Sequence, residues 1–206
     1  MRILLKGGPK MMLRQFALVL FLVFTSASSF AENFVVKILN VVGDVQFENA
    51  PIKNGDTISK GGLIKVSEKA KSNVDLLYPE GHKIRLKAGA HLLIAGENQN
   101  FAKDLTLIKG QTYMHFQKTS DAPEFQIKTK TAVAGVRGTK FLLEEKDGST
   151  YLCVCEGVVE LSVGKEAREV SEGLDLWAWA GKPLGKPKKS PSMSQQTTAE
   201  FESMKD

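Results

Sequence analysis

The chain is organised around the thirteen residues Thr129-Lys-Thr-Ala-Val-Ala-Gly-Val-Arg-Gly-Thr-Lys-Phe141 and the residues that lead into them. Over residues 125–133, apolar and β-branched residues occupy every second position, with polar residues between them. A period of two is typical of a half-buried strand with one apolar and one solvated face. Gly135 and Gly138 follow, and glycine tolerates a positive φ and close backbone contacts. We therefore predict a tight turn there and a new strand over residues 139–146.

Arg137 is the one long charged side chain of this small, apolar turn. Its guanidinium group carries five donors, enough to bridge several carbonyls or a carboxylate. Two interpretations are open: Arg137 ties the turn to a neighbouring loop or acid, or it binds an anion or a partner. On the first, Arg137→Ala destabilises the domain by about 1–3 kcal/mol for each carbonyl left unpaired. The candidate interaction turn consists of Thr131, Ala132, Val133, Ala134, Gly135, Val136, Arg137, Gly138 and Thr139.

Short apolar runs separated by glycine turns occur on both sides of this stretch. Asn54-Gly55 and Asp147-Gly148 are tight-turn dipeptides of the kind that joins two hairpin strands. Many short strands with turn signals between them predict an all-β architecture. The glycines are unevenly spaced, so the pattern does not indicate a strict internal repeat.

Several of these segments together resemble the FecR domain, a bacterial extracytoplasmic β-domain. TAVAGVRGTKF resembles the signature of that domain, and the resemblance covers residues 35–173. The flanking segments that resemble it are Val41–Val45, Ile52–Asp56, Ile58–Gly61, Tyr78–Ile84, Leu107–Gly110 and Val154–Val159. The resemblance implies a β-helix-like, solenoid-type sandwich, with the Val-Arg-Gly-Thr turn at a corner of one rung. The strand pattern alone is equally consistent with an antiparallel β-sandwich.

Residues 1–31 have the pattern of a secretory signal peptide. A basic leader precedes an apolar run over residues 16–24, and Ser29 and Ala31 are small residues at the positions that favour cleavage before Glu32. The run is far shorter than the roughly 20 residues needed to cross a bilayer. We therefore predict a periplasmic or secreted protein without a stable transmembrane span after processing. The alternative is an inner-membrane anchor formed by residues 16–24.

The basic excess of the whole chain lies mostly in this leader. Removing residues 1–31 removes four of the 28 basic residues and none of the 23 acidic ones, so the net charge falls from +5 to about +1. A nearly neutral domain is not typical of a nucleic-acid-binding protein. We predict one β-domain over residues 32–180. Residues 181–206 are rich in Lys, Pro and Ser, cannot bury enough apolar surface to fold, and are predicted to be a disordered tail.

Cys153 and Cys155, the two cysteines of the chain, lie two positions apart and therefore on one face of a strand, together with Tyr151. Their Cα atoms would be about 6.5–7 Å apart in an extended strand, near the outer limit for a disulfide. They are interpreted as two small core residues, as a redox pair with a strained disulfide, or as an intermolecular bond or metal ligands. Zinc requires about four ligands, so no metal site is predicted.

The sequence contains no recognisable catalytic motif. The three histidines, His82, His91 and His115, lie on separate predicted strands and are interpreted as strand-surface residues. We predict that the protein is not an enzyme and needs no cofactor.

Trp177 and Trp179 share one face of the last predicted strand, and Leu176 and Ala178 lie on the other. Two adjacent indoles can form a flat aromatic platform for a glycan or a peptide. The other interpretation is that the pair closes the end of the domain against its core.

The FecR resemblance implies signalling at the cell envelope. FecR-type proteins are typically inner-membrane regulators that relay the state of an outer-membrane transporter to a sigma factor. At most 15 residues precede the apolar run here, so we expect no cytoplasmic domain that handles a sigma factor. The expected role is a non-enzymatic interaction, signalling or scaffolding module with an envelope protein as partner. The alternative is a binder of peptidoglycan or another glycan through Trp177 and Trp179.

Overall fold

The computed structural model describes residues 35–95, 104–118, 125–191 and 195–204, so the predicted signal peptide lies outside the described residues. They form seventeen strands, a single 3-10 turn at Pro79–Gly81 and one helix, α1 (Gln195–Ser203). The strands are β1 (Val36–Val42), β2 (Val45–Phe47), β3 (Ala50–Pro51), β4 (Thr57–Ile58), β5 (Gly62–Val66), β6 (Asn73–Leu77), β7 (Lys83–Lys87), β8 (His91–Ile94), β9 (Asp104–His115), β10 (Phe125–Lys128), β11 (Val133–Val136), β12 (Lys140–Lys146), β13 (Ser149–Glu156), β14 (Val158–Val163), β15 (Glu166–Ser171), β16 (Leu174–Trp179) and β17 (Lys188–Lys189). In this described part of the chain, no helix has the length and apolar character needed to cross a membrane.

The strands build two layers. Sheet I has the order β4-β1-β6-β7-β9-β12-β13-β16-β17. Sheet II has the order β3-β2-β5-β8-β9-β10-β11-β14-β15. One hydrophobic core contains residues from both sheets. The all-β prediction is confirmed: the chain passes back and forth between two layers, and neighbouring strands pair antiparallel except β9 and β10, which are parallel.

Strand β9 belongs to both sheets. Its first half pairs with β8 and β10 in sheet II, and its second half pairs with β7 and β12 in sheet I. Gly110 lies between the halves with a φ of +87°. A Cβ at Gly110 would lie 2.5 Å from the Cα of Ala90. Because neither the positive φ nor this approach suits a residue with a side chain, glycine is required where β9 changes sheets.

The stretch that begins at Phe125 forms a hairpin rather than one long strand. Strand β10 ends at Lys128, and Thr129 to Ala132 make a turn in which the Thr129 N–H donates to the Ala132 carbonyl at 2.8 Å. The Thr129 hydroxyl also accepts from the N–H groups of Thr131 and Ala132, at 3.2 and 2.9 Å. Thr129 therefore supplies local hydrogen bonds that compete with strand continuation, a property that its β-branched shape conceals in the sequence.

The predicted turn between Gly135 and Gly138 is shorter than expected. Gly135 lies inside β11, opposite Gln126 and Glu160 on the two flanking strands. The bend itself comes at Gly138, which has a φ of +61° and whose Cβ would lie 2.7 Å from the Cβ of Lys118. Of the two glycines, Gly138 alone needs the left-handed conformation.

The C-terminal residues differ from the predicted disordered tail. Lys188 and Lys189 pair with β16, and α1 packs on the outer face of sheet I. Phe201 on α1 and Met204, directly after the helix, join the buried side chains of that face. The average composition of the tail does not reveal this pair. Two apolar side chains are enough to dock a polar segment when sheet I already presents an apolar surface to it.

We expect Gly110→Ala to destabilise the protein more than Gly148→Ala does. Gly148 has a φ of +74° but nothing within 4 Å of the position that a Cβ would occupy, so its substitution isolates the cost of the positive φ, about 1–2 kcal/mol. Gly110→Ala carries that cost and the clash with Ala90, worth about 1–3 kcal/mol more. Urea denaturation of both variants measures the difference, and equal midpoints would contradict the role assigned to Gly110.

Candidate functional site

The outer face of sheet I carries a row of side chains in register across six strands. Directly opposed positions along this row are Asp75, Arg85, Tyr113, Leu142, Cys153 and Asp175. All six are buried although they point away from the main core. They are buried because α1 covers part of the row, and because Ser190, just after β17, lies against its other end.

Arg85 is the centre of the ion pairs on this face. Its Nε and Nη2 donate to the two carboxylate oxygens of Asp75, both at 2.6 Å. The side chains of Arg85 and Asp75 are only 8% and 10% exposed. The hydrogen bonds that Arg85 donates to Asp75 raise the pKa of Arg85 above its ordinary value, against the effect of burial. This two-point geometry fixes the guanidinium plane.

Helix α1 completes the bonding of Arg85. Nη1 donates to a carboxylate oxygen of Glu200 at 2.9 Å, to the Glu200 carbonyl at 3.1 Å and to the Ser203 hydroxyl. Lys87 donates to the other carboxylate oxygen of Glu200, and Lys83 donates to the Met204 carbonyl at 2.8 Å. Burial disfavours the charged form of Glu200, but the hydrogen bonds from Lys87 and Arg85 outweigh it and hold its pKa below the usual range.

This site was not predicted from the sequence. Lys83, Arg85 and Lys87 alternate with Ile84 and Leu86, which is the ordinary pattern of a half-buried strand with a solvated charged face. Asp75, the buried partner, sits in a run of apolar residues on β6. A single acid inside an apolar strand was the signal available in the sequence.

The two cysteines lie at the far end of the same row. Both are free thiols, Cys153 fully buried and Cys155 partly buried. The Cys153 Sγ lies 3.1 Å from the Ser190 hydroxyl. The hydrogen bond from the Cys155 thiol, with further help from Ser190 and Tyr151, lowers the pKa of Cys153 to about 7. The same bond, together with burial, raises the pKa of Cys155.

The tryptophans are exposed rather than packed into the core. Trp177 and Trp179 are 42% and 46% exposed, while Leu176 and Ala178, on the other face of β16, are buried. The two indoles are stacked, with centroids 5.3 Å apart and planes at 17°. The core side of this strand is therefore closed by the aliphatic residues, not by the indoles as one of our interpretations had it.

Both indoles also have further neighbours. Tyr151 lies 4.7 Å from Trp177 between ring centroids, and its hydroxyl donates to Asp175 at 2.9 Å. The Lys182 ammonium lies 5.6 Å from the centroid of Trp179. These contacts form an aromatic strip, Tyr151–Trp177–Trp179, beside the row that α1 covers.

Arg137 does not tie its turn to another residue within the described ranges. The side chain is exposed and makes no hydrogen bond or ion pair with any residue of the described ranges. The turn is held instead by backbone contacts: the Phe116 N–H donates to the Thr139 carbonyl at 2.9 Å, and Thr139 is buried. Among the described residues the structural interpretation of Arg137 finds no support, and the side chain is exposed.

His82 is buried, not on a strand surface as predicted. Its ring lies near Phe116 and Phe125, with centroids 5.3 and 5.0 Å away. The Gln117 N–H donates to Nδ1 at 3.0 Å, so Nε2 carries the proton and donates to Glu80 at 3.2 Å. Within the described ranges, no three His, Cys, Asp or Glu residues are grouped as metal ligands.

Two layers of short antiparallel strands with an outward-facing polar and aromatic surface define an all-β domain without a recognisable catalytic centre among the described residues. Residues 64–160 match the family described as FecR protein, which confirms the predicted resemblance to the FecR domain. The match is shorter than the 35–173 expected. It includes Arg85, Tyr113 and both cysteines, and it ends before Trp177 and α1.

Solved structures agree with the fold. Two crystal structures of a candidate anti-sigma factor from Parabacteroides distasonis ATCC 8503 align with TM-scores of 0.55 and 0.53, both at 17% identity over 68% of this chain. The aligned part is 64% of the length of those proteins. No curated protein matches the sequence.

We expect Arg137→Ala to leave the stability of the protein within about 0.5 kcal/mol of the wild type, because an exposed side chain without partners among the described residues contributes little. Thermal unfolding of Arg137→Ala beside Gly138→Ala, which adds a side chain at a positive φ, provides the comparison. A large drop in melting temperature for Arg137→Ala would restore the structural interpretation.

We expect one thiolate to appear with a midpoint near pH 7, where the pKa of Cys153 lies. Because that pKa is lowered, the thiolate forms as the pH rises through this value, while Cys155 stays protonated. The ultraviolet absorbance of thiolates measures the titration directly, without a reagent reaching a buried group. Ser190→Ala should move the midpoint upward, and Cys153→Ser should remove the signal. A midpoint that Ser190→Ala leaves unchanged would argue against the hydrogen bond.

Proposed function

We propose that the protein is a non-enzymatic interaction module that acts in signalling or scaffolding at the bacterial cell envelope. The FecR domain over residues 64–160 supports the envelope setting and a regulatory role. In this proposal residues 1–31 direct export, and the domain works in the periplasm or outside the cell. The partner is an envelope protein.

The observation that carries the proposal is the exposed pair Trp177 and Trp179 of the aromatic strip on the outer face of sheet I. Large apolar side chains grouped on a flat surface are typical of protein interaction sites. Trp and Tyr are the residue types that most often dominate binding energy at such sites. Tyr151 is held by Asp175 and Cys153 lies beside it, so the strip has a rigid base for binding.

The aligned crystal structures suggest a regulatory partner. They are described as a candidate anti-sigma factor, and this chain shares their fold at low identity. We propose that this protein receives or relays a protein signal outside the cytoplasm. Handling of a sigma factor is not part of the proposal.

Wall-glycan binding is the second candidate, and the stacked indoles are its supporting observation. A sugar ring binds an indole through an open ring face. Here Trp177 has Tyr151 and Trp179 as ring neighbours, and Trp179 has Trp177 and Lys182. These contacts compete with a sugar for the ring faces and leave the ring edges for contact, which favours a peptide or protein surface over a glycan.

A crosslinked pull-down of the tagged, exported protein from envelope fractions tests the first candidate. We expect a specific envelope protein to be captured by the wild type and lost with Trp177→Ala/Trp179→Ala. Val158→Ala is the matched control, because Val158 is also 46% exposed but lies on β14 of sheet II. Capture that survives the double substitution would remove the aromatic strip from the proposal.

Sedimentation with purified peptidoglycan separates the two candidates. If the protein acts through a protein partner, neither the wild type nor the double tryptophan variant sediments with the polymer. Sedimentation of the wild type that the double variant loses would favour glycan binding instead.

A further inference from the structure

The outward face of β7 is a strip of three cations that α1 covers. Lys83, Arg85 and Lys87 lie at alternate positions, and each donates to a group on or just after α1. The helix offers them the carboxylate of Glu200 and carbonyl oxygens of its C-terminal turn. Cations near the C-terminal end of a helix are favourable, because the last carbonyls are unpaired there.

An apolar contact lies beside the cations. Phe201 meets Tyr113 edge to face, with ring centroids 5.5 Å apart. Phe201 and Met204 belong to a small cluster with Tyr113, Leu142 and Cys153 that is separate from the main core. The surface thus recognises a short helix with a glutamate directly followed by an aromatic residue.

The main core does not depend on α1. The hydrophobic cluster between the two sheets contains no residue of the helix. A helix of nine residues is marginal by itself and is held by its tertiary contacts. Loss of α1 would therefore open the surface and leave the sandwich intact.

The surface formed by β7 can also bind a carboxylate other than that of Glu200. When α1 leaves, Arg85 keeps both hydrogen bonds to Asp75, so the guanidinium group is neither unpaired nor free to turn. Removing a buried charge from its only partner is strongly unfavourable, and Asp75 prevents that situation here. Arg85 Nη1 can therefore donate to a carboxylate of another protein as it donates to Glu200.

We propose that the surface formed by Lys83, Arg85, Lys87 and Tyr113 docks a short amphipathic helix of a partner protein that presents a glutamate next to an aromatic residue. Helix α1 is the resident ligand of this surface, and the partner helix displaces it. The proposal deepens the proposed function, on which it rests, by naming the surface and the chemistry of the partner.

Binding of a labelled peptide with the sequence of residues 193–206 to the full chain, followed by fluorescence anisotropy, tests the proposal. Glu200→Gln in the full chain weakens the resident helix, so the peptide should bind about tenfold more tightly than to the wild type. Glu169→Gln is the matched control, because Glu169 is exposed on β15 of sheet II and its change of charge is identical. Lys87→Gln added to Glu200→Gln should weaken binding of the peptide again, because the peptide keeps its own Glu200 as the partner of Lys87 and the resident helix does not.

Three results would overturn the proposal. The first is equal binding by the Glu200→Gln and Glu169→Gln proteins. The second is equal binding of the normal peptide and a peptide whose own Glu200 is replaced by Gln. The third is a concentration-dependent dimer of the wild type that Glu200→Gln abolishes. In that case two copies of the chain exchange α1, and the surface is occupied by a second copy rather than by a different protein.

The pull-down distinguishes failure of this surface from failure of the proposed function. If Lys83→Gln/Lys87→Gln captures the same envelope protein as the wild type, the docking surface is wrong and the interaction function stands. If the wild type captures no specific protein, the proposed function itself fails. Loss of capture with the double lysine variant, at an unchanged melting temperature, supports both.

Discussion

The approach of the Gly110 backbone to Ala90 is the constraint on which the architecture depends. It brings the Cα of Ala90 to 2.5 Å from the place where a Cβ would stand, and so allows β9 to leave sheet II and enter sheet I. Each sheet has four other strands on either side of β9. One strand therefore fixes the relative position of the two layers, and the core between them follows from the alternation of apolar residues on both.

Much of the fold follows from the sequence because its causes are local. Alternating apolar residues give the strands, and the Asp147-Gly148 dipeptide gives the hairpin between β12 and β13. The errors have local causes of another kind. The Thr129 hydroxyl turns the chain where its β-branched shape indicates a strand. Gly135 continues a strand where its flexibility indicates a turn.

The candidate site was only partly accessible from the sequence. Periodicity places Tyr151, Cys153 and Cys155 on one face, and it does the same for Trp177 and Trp179, but it does not say whether that face meets the core or solvent. The Arg85–Asp75 pair joins two strands, and Glu200 reaches it from 115 residues away. Such pairings depend on sheet order, which a single sequence does not contain. Arg137 was conspicuous in the sequence because of its glycine neighbours, yet its side chain is exposed.

Strand β9 divides the domain into two parts that follow each other in the sequence. Strands β1 to β8 lie on one side of β9 in both sheets, and β10 to β17 lie on the other. The two parts are joined in the sheets only through β9, while their side chains share one core, in which Tyr78 and His82 contact Phe125. Helix α1 belongs to both parts, because Glu200 pairs with Arg85 on β7 and Phe201 shares a small hydrophobic cluster with Leu142 and Cys153. The docked helix therefore requires both parts to be folded, so its presence reports that the domain is complete.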